Sequence, residues 1–514
     1  MFRNLCLLLL SFSWVCAQDA IGQAPCAVHG SAPEYKGEYL LVHRLSDVIS
    51  NQREFIDKQL INEKGEFDLV IKETEIRIYY LTIGSQTATL FVEPNASYQV
   101  TFPPRDPNAF QRFEGSEVSL DFNQPNDHEL NILIRRFNKL YIDFINLHYY
   151  DFAADTYTSH AGVKSQLKKN GKSVDLLEPA KVIDTLKHRP SVFPEVVEQF
   201  RMRVDSIFSG DYDQDYFKDY VDFSISEIEL LAGLSRKYYY QRYFMSRSVP
   251  YHNPAFGSAF RLFYKNSFVN VSKEVQNRIL KAVNLEHNSE LLTAAFDQDT
   301  ITTSGELRAL MCLNGLRESG PGRTFLEPMV QATLDDYAVK NANKPIGKAA
   351  AQMLVARKKF QPGWIIEDFT LVDPKGERWT WSQQESKPTY FLCFATWSAS
   401  SLKELAMLQK LESEFGDAIE IVAISMDKDI ELMKKYIQEH RDQRFQFLSG
   451  IADPLLASKF NIRSIPHALM VDEKGAIMHS YTRKPSEGAQ VDFQKYMASL
   501  KEQHKSGVKN WKDN

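Results

Sequence analysis

The chain has 514 residues, 43% apolar and 25% charged, with a formal net charge of −5. That length allows about three domains at roughly 150 residues each, and the balance is that of a globular protein rather than a disordered or fibrous one. The slight acidity and the lack of a large basic block argue against nucleic acid as a partner.

Met1-Phe2-Arg3-Asn4 precedes an apolar run from Leu5 to Val15, followed by Cys16-Ala17. A positive residue, a short apolar stretch and a small residue at its end read as a secretory signal over residues 1–17, cut before Gln18. About 11 apolar residues fall well short of the roughly 20 that a spanning helix needs. No later stretch reaches that length, so no transmembrane span is expected. Cys16 raises a lipoprotein alternative, but Ser13-Trp14-Val15 lacks the small residue usual before a lipidated cysteine. Removing the signal leaves Cys26, Cys312 and Cys393. At most one intramolecular disulfide can form, which rules out a disulfide-stapled scaffold, and the three read as unpaired, buried thiols.

Residues 18–125 read as an all-β sandwich followed by a linker. Glu38–His43, Glu66–Ile71, Ile76–Ile83, Thr87–Val92 and Tyr98–Phe102 are short strand-like runs bounded by turn formers such as Gly84-Ser85 and Pro94-Asn95. Strands at this spacing predict an antiparallel sandwich. Pro103-Pro104 and Asp106-Pro107 end the pattern, and the linker that follows has room for one or two strands.

At Asn126 the period changes. Asn126 with Glu129 resembles a capping box, and Leu130, Leu133, Phe137, Leu140, Phe144 and His148 fall on one helical face. Further helices are expected over 194–208, 216–243, 272–283, 289–296, 305–314 and 329–339, with breaks at Gly210, Pro250, Pro254 and Gly320-Pro321-Gly322. Residues 126–358 therefore read as an all-α region.

From 359 to 503 strands and helices alternate, which predicts an α/β fold with a parallel sheet core. Phe369–Val372 and Arg378–Trp381 make a hairpin across Asp373-Pro374-Lys375-Gly376. Tyr390–Ala395 is a buried strand, and Ser401–Phe415 a helix with Leu402, Leu405, Leu408 and Leu411 inward, stopped by Gly416. Ile419–Ser425 is a second buried strand, Ile430–Arg441 a helix and Pro454–Phe460 a short one. Strands over 466–471 and 476–481 flank Asp472-Glu473-Lys474-Gly475. A helix over 491–500 comes before a polar tail, 504–514.

Phe394-Ala395-Thr396-Trp397 at the end of a buried strand, with Ser464-Ile465-Pro466 further on, resembles the thioredoxin superfamily. Asp368-Phe369-Thr370-Leu371 with Lys375-Gly376, and Val471-Asp472-Glu473-Lys474-Gly475, are similar to the TlpA/ResA-like and AhpC/TSA-type branch. Asn62–Phe67 and Val92–Tyr98 resemble a β-rich domain that precedes TlpA-like domains in exported proteins of Bacteroidota-type bacteria. The resemblance implies a Cys-x-x-Cys pair after the tryptophan, but Trp397-Ser398-Ala399-Ser400-Ser401 carries serine at both places, Ser398 and Ser401. Leu392 stands where many thioredoxins bury an aspartate. A thiol near pKa 8.5 can be brought into the physiological range at a helix N-terminus; a hydroxyl starts far above it and forms no disulfide.

The resemblance also implies that Pro466 follows a cis peptide, and that Trp397, Ser398, Ile465 and Pro466 border a groove where an extended peptide segment adds to the sheet. Otherwise Ser398 or Ser400 simply caps a helix. A Ser398–His467 nucleophilic pair would lack a third orienting group. Asp211-Tyr212-Asp213-Gln214-Asp215 imitates a calcium loop, but Tyr216 replaces its glycine and Asp222 its bidentate glutamate. Tyr238-Tyr239-Tyr240 with Tyr243-Phe244 reads as core plus surface rather than a binding face. The twelve histidines show no metal-ligand spacing, and no cofactor or metal is expected. The leading expectation is an exported, redox-inactive thioredoxin-like protein of the periplasm or cell envelope that binds another envelope or exported protein. One alternative is a thiol-disulfide oxidoreductase or peroxidase using Cys26, Cys312 or Cys393. Another is a ligand- or glycan-binding protein acting through the sandwich or helical region.

Overall fold

The computed structural model describes residues 25–105, 116–123, 126–148, 194–320, 322, 324–381 and 387–509, with side chains up to 499. The signal segment, Asp106-Pro107, Gln124-Pro125, Pro321 and the end of the polar tail lie outside the described residues. The chain divides into two compact units, residues 1–107 with 116–354, and residues 108–115 with 355–514.

Among the described residues of the first unit, nine strands form two sheets. They are β1 (Cys26–Ser31), β2 (Tyr39–Leu45), β3 (Arg53–Leu60), β4 (Glu66–Ile71), β5 (Arg77–Ile83), β6 (Gln86–Val92), β7 (Ser97–Thr101), β8 (Ser116–Val118) and β9 (Asp121–Phe122). One sheet runs β4-β1-β7-β9 and the other β3-β2-β5-β6-β8. Strict alternation on β4 turns Phe67, Leu69 and Ile71 inward, where they join Val28 and Val100 from their own sheet and Leu40, Leu81 and Leu90 from the other. Most pairings are antiparallel as expected, but β1 with β7 and β6 with β8 are parallel. Strands β1 and β3 escaped the pattern reading. β3 is exposed along most of its length and so lacks the apolar alternation that marks a half-buried strand. It is an edge strand with a bulge: Val42 faces Asp57 while His43 faces Phe55, leaving Ile56 as the extra residue.

The helices of this unit are α1 (Leu130–Leu147), α2 (Pro194–Phe208), α3 (Asp215–Leu231), α4 (Arg236–Tyr243), α5 (Pro254–Phe263), α6 (Lys273–Asn284), α7 (Ser289–Ala294), α8 (Gly305–Glu318), α9 (Glu327–Lys340) and α10 (Pro345–Lys358). Three details differ from the sequence reading. Glu129, not Asn126, caps α1, accepting from Ile132 N at 3.1 Å; Asn126 accepts from His128 N instead. The single helix expected over 216–243 is two, because Gly233 takes the left-handed conformation (φ +85°) and Ser235 caps a new start. Pro254 opens α5 rather than breaking the chain: at the first helical position its missing N–H is no loss.

The helical core is continuous with side chains of the strand region, taking in Leu45, Val48, Ile49, Ile78 and Phe91 beside Leu133, Phe137, Phe217 and Phe256. Asn131 on α1 fastens this contact. Its side chain accepts from Phe91 N and donates to Phe91 O, both at 2.8 Å, in a buried setting.

The second unit contains β10 (Phe369–Val372), β11 (Arg378–Trp381), β12 (Thr389–Phe394), α11 (Ala399–Phe415), β13 (Glu420–Ser425), α12 (Ile430–Glu439), β14 (Gln446–Ser449), α13 (Leu456–Lys459), β15 (His467–Val471) and α14 (Ala489–Lys509). The sheet order is β11-β10-β14-β13-β12-β15. β14, β13 and β12 are parallel, and β10 and β15 run antiparallel to their neighbours. β12 is buried on both faces. Tyr390, Leu392 and Phe394 pack with Leu405, Leu408 and Phe493, while Phe391 and Cys393 pack with Phe369, Trp381 and Phe460.

The strand expected over 476–481 does not form. Only the bridges Ile365–Ala476 and Val471–Ile477 are present. Met478 N donates to Met470 O at 3.0 Å, but Met470 N is then taken by the Thr482 hydroxyl at 3.2 Å, and a side chain ends the ladder. α14 continues well past the expected end at 500. Gly416 sits in a right-handed conformation (φ −58°), so α11 ends without the left-handed glycine turn.

Asn131→Ala is expected to strand the Phe91 N–H and C=O in the interior and to lower stability by about 2–3 kcal/mol. Asn123→Ala, at an exposed site, should stay within about 0.5 kcal/mol. Denaturant titrations monitored by circular dichroism compare the two.

Candidate functional site

The site grows out of the carboxyl end of β12. The strand ends at Phe394, and Ala395, also buried, accepts a hydrogen bond from Ser398 N at 3.1 Å. Trp397 at the turn is 51% exposed. Ser398 then caps α11: its Oγ accepts from Ser401 N at 3.3 Å and shares a hydrogen bond with Ser400 Oγ at 3.0 Å. Ser401, in the first turn, is wholly buried, and its Oγ has no hydrogen-bond partner in the protein.

β15 brings the second half. Cys393 pairs with His467, so β15 begins beside the end of β12. The loop before β15, with a cis bond between Ile465 and Pro466, therefore leaves the sheet at the same end as the Trp397–Ser398 turn. The topology thus places Trp397, Ser398, Ile465 and Pro466 on two neighbouring loops.

A residue that the sequence reading passed over organises the turn. Asp427, just beyond β13, is buried; its carboxylate accepts from Thr396 N through both oxygens at 3.1 Å, from Thr396 Oγ1 at 3.0 Å and from Ser425 Oγ at 2.8 Å. Phe394 faces Ser425 in the parallel pairing, which sets Asp427 directly across from Thr396. The available signal was Ser425-Met426-Asp427 itself. An acid immediately after a buried parallel strand lies at the strand ends where the tryptophan turn also lies, and a buried carboxylate needs donors.

The chemistry open to these groups is narrow. The amino end of α11 favours negative charge, but the side chain there is a hydroxyl serving as a cap. His467 does not serve as its base. An imidazole N–H of His467 donates to the Phe460 carbonyl, and burial lowers the pKa of the ring; Ser398 Oγ is engaged with Ser400 and Ser401 N. The nucleophilic pair is not assembled. Leu392 is fully buried among Tyr390, Phe394 and Leu405, an apolar setting.

The three thiols are all buried and unpaired. Burial, helped by Glu93, pushes Cys26 up to about 11, burial pushes Cys312 up to about 12, and burial alone raises Cys393. The calcium-like segment is otherwise engaged. Asp211 accepts from His128 Nδ1 at 2.5 Å, Asp215 begins α3, and Asp222 pairs with Arg201 and Arg247. No group of three or more His, Cys, Asp or Glu side chains suited to a metal occurs among the described residues. Tyr239, Tyr240, Tyr243 and Phe244 are core, with the hydroxyls of Tyr239, Tyr240 and Tyr243 on Ser226, Thr303 and Glu229 in turn, while Tyr238 is half exposed.

Two outcomes are expected from this geometry. Asp427→Ala leaves Thr396 N–H and two hydroxyls without their acceptor and should cost about 2–4 kcal/mol in chemical unfolding, given roughly 1.5–3 kcal/mol for a hydrogen bond to a charged group. Cys26, Cys312 and Cys393 should react with a maleimide in the native state only at the rate at which the fold opens, with little change between about pH 7 and 9. Site-resolved mass spectrometry reads this, and a fast, pH-dependent reaction at any one of them would restore the thiol-enzyme alternative.

A family model described as thioredoxin-like matches residues 386–477. The chain is 26% identical over 124 residues to the thioredoxin-like protein YneN of Bacillus subtilis (strain 168), a match that covers 23% of this chain and 69% of that protein. Among solved structures it is similar to the thioredoxin domain of a thiol-disulfide oxidoreductase from Bacteroides vulgatus, with 21% identity, 26% of this chain and 96% of the other covered, and a TM-score of 0.24. It is also similar to a thiol:disulfide interchange protein from a Bacteroides species, with 23% identity, coverage of 24% and 83%, and a TM-score of 0.22. The matched segment holds the parallel centre of the sheet, the serine-capped helix and the cis-proline strand: the C-terminal part of this chain carries a thioredoxin-like domain at residues 386–477.

Proposed function

We propose that this chain is an exported protein of the cell envelope whose thioredoxin-like domain performs no dithiol chemistry and works by binding another protein. The observation that carries this reading is Ser398: at the amino end of α11, where the superfamily's reaction needs a thiolate, its hydroxyl is a helix cap bonded to Ser401 N and Ser400 Oγ. Leu392, apolar at the strand position where the resemblance implies an acid, and the burial of all three described thiols support it. The exposed ring of Trp397 and the Ile465–Pro466 loop at the same end of the sheet give the binding face. Export rests on the apolar segment within residues 1–17. We divide the mature chain into a β-sandwich with linker (18–125), a helical domain (126–358) and the thioredoxin-like domain (359–503).

The experiment is a loss-and-gain pair. The wild-type chain should show no insulin-disulfide reduction above background in the presence of dithiothreitol. Ser398→Cys with Ser401→Cys should gain a reversible disulfide, visible as the loss of two hydrogen atoms in mass on oxidation, together with measurable turnover. The buried Oγ of Ser401 has no partner to lose, so the exchange at that position should cost little stability. Turnover by the wild-type chain would refute the proposal. Pull-down with wild-type and Trp397→Ala chains tests the face: a partner held by the first should be lost from the second.

A further inference from the structure

Gly233 separates α3 from α4, and a cavity of about 490 Å³ lies at that break, between the start of α2 and α4. Small-molecule sites run to roughly 300–1,000 Å³. Val197, Leu234 and Tyr238 give the cavity an apolar wall. Tyr238 is half exposed there, while Tyr239, Tyr240 and Tyr243 of the same helix are core.

The charge of the wall is uneven. Glu195, Glu198 and Glu229 line the cavity, against Arg242 alone. Glu229 is already answered: it accepts from Arg201 Nε at 3.1 Å and Nη2 at 2.9 Å, and from the Tyr243 hydroxyl at 2.7 Å. Arg242 is engaged too, with Nη1 3.9 Å from Glu229 and 3.4 Å from the Tyr238 hydroxyl. Arg201, Arg242 and Arg247 meet Asp219, Asp222 and Glu229 in one network, so its charges cancel. Glu195 and Glu198 stand outside it. Both are exposed on the first turn of α2, and neither is paired with a cation among the described residues. The amino end of a helix supplies roughly half a positive charge, which offsets only part of two carboxylates.

The cavity therefore presents surplus negative charge beside an apolar wall. An anion would meet three carboxylates and one guanidinium that is already in use. A bare metal or ammonium ion would leave the wall and most of the volume empty. An organic cation satisfies both parts, and the face of a tyrosine ring also attracts a positive group. We propose that this cavity binds a small organic cation, an amine with an apolar body. Its ammonium is met by Glu195 and Glu198, and its body lies against Val197, Leu234 and Tyr238. The site belongs to the first unit and does not depend on the function given to the thioredoxin-like domain.

The test is calorimetric titration of the full chain at pH 7 and matched ionic strength with three probes. Phenethylammonium chloride should bind saturably. Sodium 3-phenylpropionate, a similar body with the opposite charge, and ammonium chloride, the charge without the body, should each bind at least tenfold more weakly. Glu195→Gln with Glu198→Gln should weaken phenethylammonium binding at least tenfold, and Tyr238→Ala at least threefold. Arg242→Gln removes a repelling charge and should bind at least as tightly as wild type. Thermal melts establish that each variant is folded. No saturable binding of phenethylammonium, equal binding of the carboxylate, undiminished binding by the folded double glutamine variant, or weaker binding by a folded Arg242→Gln chain would each overturn the assignment.

Discussion

The C-terminal unit depends on the double burial of β12. Every side chain from Thr389 to Phe394 is withdrawn from water, and two separate cores close on it, one under α11 and α14 and one under the β10–β11 hairpin. Burial of each large apolar side chain contributes about 1.5–3 kcal/mol, so the place where this strand ends is set by packing on both faces rather than by the loop beyond. Asp427 then fixes the first residue of that loop from the neighbouring strand. By the time the chain reaches Ser398 it has little freedom, and α11 must begin there.

That fixed start explains how a thioredoxin-like architecture persists around a site with no thiol. The amino end of a helix supplies free N–H groups and partial positive charge whatever residue occupies it. A cysteine would turn that field into a lowered pKa. A serine turns it into a capping bond, worth about 0.5–2 kcal/mol of stability. The same backbone geometry thus supports either reactivity or structure, and one atom decides which.

The C-terminal fold was largely legible because its strands are long apolar runs and its turns carry glycine, proline and aspartate at the places where the chain reverses. The hairpin across Asp373–Gly376 was read with its strands as observed, and Cys393 is buried and unpaired as expected. Three kinds of feature were not legible. β3 has no buried face, so it leaves no periodic trace. The 476–481 segment has a strand's composition, but a tertiary hydrogen bond from Met470 to Thr482 displaces its ladder. The site's organising residue, Asp427, lies 31 positions from the Thr396 it holds, a relation that becomes visible only once β12 and β13 are known to be parallel neighbours. Proline was the remaining trap: at Pro254 the same residue type that ends helices begins one.

The bulge in β3 has a bearing on how this molecule behaves in a crowded compartment. Phe55, Ile56 and Leu60 are all exposed on this edge strand, and a straight edge of that kind would be a template for a neighbouring chain. The extra residue at Ile56 divides it into Arg53–Phe55 and Asp57–Leu60, whose backbone groups are out of step with one another. A regular strand laid alongside could match one part or the other but not both, and Lys58 places a charge in the longer part. Irregular pairing here works against the strand-by-strand addition of another chain along this edge.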